Sequence, residues 1–427
     1  MADFEPLVRR RDVDVEDQQP VVEHHLIESK KIASPIIKSK TVRVASLDVF
    51  RGLSVFLMML VDYGGTVFPI IGHSPWNGVH LADFVMPFFL FVAGVSLAIV
   101  YKKVPDRSEA TSKVVVRALK LFFIGILLQG GYLHGITSMT YGVDIEKIRW
   151  LGILQRIAIA YLVGALCEIW LQCRRCRREC FAKNYIWHWC AVLLICAVYL
   201  GLLYGLYVPD WKFSLATDGN IYEVKCSVRG DLGPACNSAG MIDRYILGIN
   251  HLYQKPVYKN LKECKMTYAD PRSAPSWCFA PFDPEGILSS LTAAASCIIG
   301  LQYGHVLVQL QDHKDRLYNW SLFSFSLLAL GFFLSCMGMP LNKPLYTVSY
   351  LLVTSGSSGI TFCILYILVD VYGWRSVTGV FEWMGKHALS IFILVTSNIA
   401  IIVIQGFYWR DPQNNLIHLI VSRVVHK

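Results

Sequence analysis

A ten-residue segment, IGHSPWNGVH (71–80), joins two long apolar runs and gathers side chains that are capable of chemistry. It holds two histidines, a tryptophan and an asparagine, and it has no lysine or arginine. A neutral imidazole is a competent general base near neutral pH, and it also carries acyl groups, since an acyl-imidazole is comparable in reactivity to a thioester. We therefore predict acid–base or nucleophilic chemistry at His73, with an interfacial aromatic cluster as the alternative.

His73 stands between two carboxylates in the sequence. Asp62 precedes it near the end of one apolar run, and Asp83 opens the next run. Either carboxylate could set the tautomer of the imidazole or raise its basicity. Trp76 and Asn77 follow His73 in the same constrained link, so we expect them beside the ligand on which His73 acts.

The elements that position these residues follow from an unusually apolar composition. Of the 427 residues, 54% are hydrophobic and only 17% are charged. A helix needs about 20 apolar residues to cross a bilayer, and nine runs approach or exceed that length. They are 49–67, 81–100, 114–128, 151–171, 186–207, 287–310, 321–339, 346–369 and 389–404. We predict an all-α integral membrane protein, a polytopic bundle of nine or ten transmembrane helices.

Basic residues predict how this bundle is oriented, because positive charge near helix ends favours the cytoplasm. The amino-terminal tail through Arg51 is basic, as are the links 101–120 and 172–183, whereas the link 69–80 has no basic residue. This alternation places the amino terminus in the cytosol and His73 on the luminal side. The net charge of +9 is thus explained by topology and does not indicate nucleic-acid binding.

The domain organisation is predicted to be simple. Residues 1–45 are charged and polar, and we expect a disordered cytosolic tail and no cleaved signal peptide. Residues 46–427 form one transmembrane bundle with a large luminal loop over 208–285. The chain ends in LIHLIVSRVVHK, whose mostly apolar run of ~10 residues is too short to span a membrane.

Cysteines in the luminal loop support the same topology. Four of them in an oxidising compartment predict two disulfides, in one of three connectivities. They are Cys226, Cys236, Cys264 and Cys278. The cytosolic motif CRRCRREC (173–180) has CxxC spacing, but no second pair completes it and its arginines oppose a cation. Free or lipid-modified thiols are expected there, and no bound metal.

Two arginines near apolar runs are candidates for binding anions. Arg51 follows Asp48 by three residues in SLDVFRG, so it either pairs with that carboxylate or meets a phosphorylated ligand from the cytosol. Arg156, in LQRIA, has apolar neighbours on both sides and needs a partner. It is either structural, bonded to Asp83 or to a backbone carbonyl, or it binds an anionic group.

Six motifs resemble, in the same order, those of the heparan-α-glucosaminide N-acetyltransferase family of polytopic membrane acetyltransferases. They are SLDVFRG, GHSPWNG…ADFVMPFFLF, LGILQRIAIAY, MIDRYILGINHLYQKP, FDPEGIL and NKPLYTVSYLL. The resemblance runs from about Ser46 to about Ser390 and is closest to plant-type members, which lack the large luminal amino-terminal domain. It implies a multi-pass protein of a lysosomal, vacuolar or other endomembrane, which transfers acetyl from cytosolic acetyl-coenzyme A to a luminal amine such as that of a terminal glucosamine.

The resemblance also implies roles for the candidate residues. His73 is the family's catalytic histidine, either as acetyl carrier or as general base, and Asp62 would orient it, although the animal enzyme has an asparagine there. The residues expected to bind the acceptor are Trp76, Asn77 and Asp83, and those expected to bind the coenzyme are Arg51 and Arg156. The expected partners are membrane lipid, acetyl-coenzyme A as co-substrate, and an amino sugar or other amine; a homodimer stays open.

Two other classes of function remain open at this point. A polytopic transporter or channel for a small polar or anionic solute also needs charged groups within the membrane. A scaffold whose site has decayed would bind no coenzyme at all. The short carboxyl-terminal run predicts that the family's last transmembrane helix is missing.

The predicted topology is tested by cysteine labelling in sealed vesicles. In a background whose free cysteines are serines, His73→Cys and Gly230→Cys should react with an impermeant maleimide only from the luminal side. Lys113→Cys, in the basic link 101–120, is the control and should react only from the cytosolic side. Labelling of position 73 from the cytosolic side would contradict the predicted orientation.

Overall fold

The computed structural model describes residues 44–65, 68, 70–102, 104–129, 148–171, 185–214, 221–265 and 275–397. All of them belong to one unit, Val44–Lys427. The predicted tail up to residue 43, the motif CRRCRREC and the segment LIHLIVSRVVHK lie outside the described residues. The expectations about disorder, thiol chemistry and a missing last helix therefore stay predictions.

Helices make up most of the described structure. In chain order they are α1 Ala45–Gly64, α2 Ala82–Val100, α3 Arg107–Gln129, α4 Ile153–Leu171, α5 Ile186–Gly205, α6 Ser238–Ile246, α7 Lys262–Lys265, α8 Ile287–Gln309, α9 His313–Cys336, α10 Val348–Tyr366, α11 Arg375–Lys386 and α12 Ala388–Thr396. A π-helical turn, Ile367–Val371, extends α10.

Six helices in the described part of the chain are long and apolar enough to cross a membrane, namely α2, α4, α5, α8, α9 and α10 with its extension. Two more, α1 and α3, are 20 and 23 residues long, but charged side chains are spread along their length. The predicted all-α polytopic membrane fold is confirmed. The number of nine or ten spans stays a prediction, because the last predicted run, 389–404, leaves the described residues after Ser397.

The link between α5 and α8 contains most of the structure that the helical prediction missed. It forms two antiparallel strand pairs, β1 with β4 and β2 with β3. The strands are β1 Tyr207–Val208, β2 Trp211–Ser214, β3 Ile221–Val224 and β4 Val228–Arg229. Three short 3-10 helices follow, Ile249–His251, Val257–Asn260 and Ser276–Phe279. These elements are too short to give a clear periodicity, so the sequence predicted only a polar loop.

Disulfides hold this loop together. Cys226 bonds to Cys236 and Cys264 bonds to Cys278. The predicted pair of disulfides is confirmed, and the structure selects one of the three possible connectivities. Each bond closes a short segment, of 10 and 14 residues in sequence separation, and so limits the freedom of the unfolded loop.

The core of the bundle is formed where α2 packs against α8, and small residues allow the two backbones to touch. A Cβ atom added at Gly94 would lie 2.0 Å from the carbonyl oxygen of Cys297, and one added at Gly300 would lie 2.3 Å from that of Phe91. Helices in membranes commonly approach through such small residues, because lipid supplies no hydrophobic force between them. This contact fixes α2, whose first turn carries Asp83.

This packing predicts a difference between two glycine substitutions. Gly300→Ala should destabilise the protein by about 1–3 kcal/mol, because the new methyl group would force α2 and α8 apart. Gly201→Ala in α5 is the matched control, since a Cβ there meets nothing within 4 Å. Thermal unfolding in detergent, together with size-exclusion chromatography, measures both. Equal stability of the two variants would contradict the close contact.

Candidate active site

The link that contains His73 folds around the carboxylate of Asp83, in the first turn of α2. Asp83 is fully buried. Its Oδ2 accepts hydrogen bonds from the backbone N–H groups of Ser74, at 3.2 Å, and His80, at 2.9 Å. Its Oδ1 lies 3.0 Å from Nδ1 of His73. A carboxylate at a helix amino terminus is also favoured by the helix dipole. The position of the imidazole is therefore fixed by Asp83.

This geometry corrects one expectation from the sequence. Asp83 was expected at the substrate, with Asp62 orienting the ring, but it is Asp83 that holds Nδ1 of His73. The carboxylate accepts the Nδ1 proton, so we assign the neutral ring to the tautomer whose Nε2 carries a free lone pair. The side chain of His73 is 39% exposed, so that nitrogen is accessible to a ligand.

Lys343 is a further member of this group, and it comes from the link between α9 and α10. Its Nζ lies 3.3 Å from Oδ1 of Asp83 and 2.8 Å from Nδ1 of His73. An ammonium group only donates hydrogen bonds, so its partner is the carboxylate of Asp83, which also accepts the Nδ1–H of His73. Burial lowers the pKa of Lys343, while Asp83 and Glu285 oppose that shift.

The two links are bound directly to each other. Nδ2 of Asn342 donates to Oδ1 of Asn77 at 3.1 Å, and the N–H of Gly78 donates to the carbonyl of Leu341 at 2.8 Å. Gly78 has a φ of 98°, which favours glycine because it lacks a Cβ atom. These hydrogen bonds between the two links place Lys343 next to His73. Sequence analysis assigned no role to Lys343, although it lies in the quoted motif NKPLYTVSYLL.

Charged residues that the sequence did not single out lie next to this group. Arg149 donates through Nε and Nη2 to Asp283, at 2.9 and 2.6 Å, and through Nη2 to Glu285 at 2.5 Å. Burial opposes ionisation of Glu285, but Arg149, Arg156 and Lys343 outweigh it and lower the pKa of that carboxyl. Glu285 therefore brings a negative charge to the site.

A cavity of about 280 Å³ opens beside His73. Asp62, Glu285 and Lys343 line its polar end, and Arg117 of α3 lines another part of it. The apolar wall consists of Met58, Val61, Ala82, Val85, Met86, Phe89, Leu121, Ile153, Leu154, Ile157, Ala388, Leu389 and Phe392. Residues 82 to 89 of α2 contribute to this wall, so the cavity extends for about two helical turns, or about 11 Å. Asp62 thus faces the same cavity as His73, as expected from its place at the end of α1.

Trp76 and Asn77 line a different cavity. Trp76 is buried, and its Nε1 donates to the carbonyl of Leu232 at 2.9 Å. Its ring packs edge to face on Tyr258 and Phe282. This second cavity, of about 350 Å³, is lined by Pro75, Trp76, Asn77, Pro234, Leu261, Glu263 and Trp277. The structure therefore separates these two residues from the cavity of His73.

Neither predicted coenzyme-binding arginine faces the cavity of His73. Arg156 is buried, and its Nη2 donates to the carbonyl of Pro284 and to Oγ of Ser289. This contact gives Arg156 the structural role that sequence analysis had left open, with a backbone carbonyl as partner. Arg51 binds Asp48 at 2.9 Å and donates to Ser96. It lies on α1 about 16 Å from Asp62 by helical rise.

These features define a class of protein, a multi-pass helical membrane protein with a histidine–aspartate–lysine group beside a cavity and next to a disulfide-bonded loop. Residues 43–182 match the family model "Heparan-alpha-glucosaminide N-acetyltransferase, catalytic". This segment of the chain is therefore similar to the catalytic part of that family. The matched segment holds His73, Asp83 and Asp62, whereas Glu285 and Lys343 lie beyond it.

Two relatives extend the similarity over most of the chain. Heparan-alpha-glucosaminide N-acetyltransferase of Mus musculus is 30% identical over 416 residues, which cover 91% of this chain and 58% of the relative. The protein of the same name from Homo sapiens is 29% identical over 376 residues, which cover 82% of this chain and 52% of the relative. The chain thus spans about half the length of these two relatives.

A buried carboxyl group in the loop couples stability to pH. Oδ1 of Asp243, in α6, accepts the N–H of Ile287, the first residue of α8, at 2.9 Å. Burial is the main cause that raises the pKa of Asp243 from 3.8 to about 7, and Asp283 adds to it, while Arg244 and Arg156 oppose it. The folded state therefore binds more protons than the unfolded state between about pH 4 and pH 7.

Stability from this group should consequently be greatest in acid and should fall as the pH rises to about 7. The difference is at most about 4 kcal/mol, because one pKa unit corresponds to about 1.4 kcal/mol. Asp243→Asn should flatten the dependence of the unfolding temperature on pH between 4 and 7. Asp210→Asn, at an exposed carboxylate of the same loop, is the control. An identical pH dependence in wild type and Asp243→Asn would contradict this account.

Proposed function

We propose that the chain is an acetyl-coenzyme A-dependent N-acetyltransferase that transfers acetyl across an endomembrane to an amine. The observation that carries the proposal is the contact of 3.0 Å between Nδ1 of His73 and the fully buried Asp83, at a cavity inside the helical bundle. Similarity to the family supports the reaction class and a lysosomal, vacuolar or related membrane. The charge pattern of the sequence supports a cytosolic amino terminus and a luminal acceptor.

Asp83 and His73 supply the chemistry in this proposal. With its Nδ1 proton held by Asp83, the ring presents the Nε2 lone pair, and the carboxylate stabilises the imidazolium as it forms. Two routes use this lone pair. In a relay, Nε2 attacks the acetyl carbon and coenzyme A leaves as its thiolate. The neutral amine then attacks acetyl-His73 and displaces the ring, and the proton that the amine loses neutralises the thiolate. In direct transfer, the amine attacks the thioester while Nε2 removes its proton, and the protonated ring passes that proton to the departing thiolate of coenzyme A.

The carboxylates that face the cavity suit an amine acceptor. Asp62 and Glu285 both line it, and neighbouring cations lower the pKa of Glu285. Negative charge attracts a protonated amine and favours its binding next to the base that must deprotonate it. We therefore propose that Asp62 binds the protonated amine and does not orient the ring of His73.

The donor coenzyme has a candidate path along α3. Arg117 lines the cavity of His73 and also a surface pocket whose other lining residues are Ser112, Lys113, Val116 and Lys120. Three basic side chains on one pocket suit the phosphates of the coenzyme, and arginine binds phosphate with paired hydrogen bonds. The acyl arm would then enter the cavity past Arg117. In this proposal the phosphates of the coenzyme bind to basic side chains of α3, and not to Arg51 and Arg156.

The acceptor side is formed by the second cavity. It begins at Pro75, two residues after His73, and it contains two tryptophans, Trp76 and Trp277, with Asn77 and Glu263. Aromatic rings with a polar edge pack against sugar rings, and the amide and carboxylate can bind hydroxyl groups. We propose that the part of the acceptor beyond its reacting amine lies here, which keeps Trp76 and Asn77 as acceptor residues.

Acetyl transfer in proteoliposomes tests the proposal. With labelled acetyl-coenzyme A and glucosamine, His73→Ala should abolish labelled product if a relay operates, and should reduce turnover 10²–10⁴-fold if His73 is only a base. Asp83→Asn should lower kcat with little effect on KM, because it acts through the ring. His313→Ala is the control, since His313 begins α9 and bonds to Tyr366.

The same preparation separates the competing explanations. Label on His73 after exposure to acetyl-coenzyme A without acceptor establishes the relay, and its absence at all times favours direct transfer. Full activity of His73→Ala would overturn the proposed site. Flux of a solute into sealed vesicles without loss of acetyl from the coenzyme would instead indicate a transporter.

A further inference from the structure

A second cluster of ionisable side chains lies in the bundle, away from His73. It consists of Glu168 in α4, His188 in α5 and His305 in α8. Their candidate ligand atoms all lie within 4.8 Å of one another. Oε2 of Glu168 is 2.7 Å from Nε2 of His305 and 3.5 Å from Nε2 of His188. Three separate helices thus direct two imidazoles and one carboxylate at a single point.

The cluster is far from the proposed acetyl-transfer site. Ser289, near the start of α8, contacts Arg156 beside the charged group around Glu285. His305 follows Ser289 by sixteen residues on the same helix, so the two are about 24 Å apart along its axis. Any ligand of the cluster is therefore independent of the chemistry at His73.

The contacts within the protein leave this cluster incompletely satisfied. The three side chains are 0–6% exposed. Among the described residues, Oε1 of Glu168 and both ring nitrogens of His188 have no hydrogen-bond partner. The approach of His188 to Glu168, at 3.5 Å, is too long for a hydrogen bond. Buried polar groups without partners are destabilising, so these atoms are available to bind a ligand.

The donor set identifies the class of ligand. Two histidines and one carboxylate form a common zinc site, in which a water takes the fourth position. Bonds of about 2.0–2.2 Å in a tetrahedron separate the ligand atoms by about 3.3–3.5 Å. The separation of 3.5 Å between His188 and Glu168 matches this value, and that of 2.7 Å between His305 and Glu168 would lengthen when an ion enters between them. An adjoining space of about 10 Å³, lined by both histidines, is roughly one water in size.

We propose that Glu168, His188 and His305 bind a divalent transition-metal ion of the zinc type, which joins α4, α5 and α8. This differs from the expectation from the sequence, which foresaw no metal. A simple ion pair between Glu168 and His305 accounts for the contact of 2.7 Å, but it leaves the buried imidazole of His188 without a partner. A metal ion uses all three side chains at once.

Metal content tests the proposal directly. The full chain is purified in detergent with a tag that contains no histidine, incubated with Zn²⁺, and passed through a desalting column before elemental analysis. We expect about one zinc per chain, and a loss to background in Glu168→Gln and in His188→Ala. His313→Ala, which removes a histidine outside the cluster, should retain the zinc. Zinc that persists in both cluster variants, or is absent from the wild type, would overturn the site.

A second measurement needs no variant, which guards against a variant that fails to fold. Co²⁺ added to the wild-type protein should give the intense visible absorption of a tetrahedral site with nitrogen and oxygen ligands, and equimolar Zn²⁺ should remove it. A chelator should lower the unfolding temperature of the zinc-loaded protein, because a ligand that binds only the folded state stabilises it. Absence of the Co²⁺ absorption would leave only the ion pair and overturn the proposal.

Discussion

The buried carboxylate of Asp83 is the constraint on which the proposed active site depends. A charge fully removed from water is tolerated only when hydrogen bonds and opposite charges replace its hydration. Here the replacement comes from the backbone of Ser74 and His80, from the ring of His73 and from the ammonium of Lys343. Each of these donors is thereby held in place.

This requirement organises segments that are distant in the chain. Lys343 reaches Asp83 because the link 337–347 is bonded to the link 71–81 through Asn77 and Asn342. The hydroxyl of Tyr350, in α10, also donates to the backbone carbonyl of Asp83. Helices α2 and α10 and both links therefore meet at one residue.

The two clusters of charge in the bundle differ in how completely they are satisfied. At Asp83, contacts within the protein account for both carboxylate oxygens. At Glu168, one oxygen and an entire neighbouring imidazole lack partners among the described residues. The first arrangement orients a ring towards a cavity, and the second presents lone pairs towards one another. The physical contrast explains why we assign chemistry to the first and metal binding to the second.

The sequence by itself determined the fold class and the number of disulfides and indicated His73 as a candidate site residue, since these depend on patterns that are local in the chain. Runs of apolar residues specify membrane helices, and His73, Asp83 and Asp62 lie within about two dozen residues of one another. Only the tertiary structure decided which carboxylate orients the ring, which cysteines pair, and that Arg156 is structural. It also added Lys343, which is 270 residues from His73 in the chain. Contacts between side chains at such separations arise from helix packing, and no spacing within a single segment encodes them.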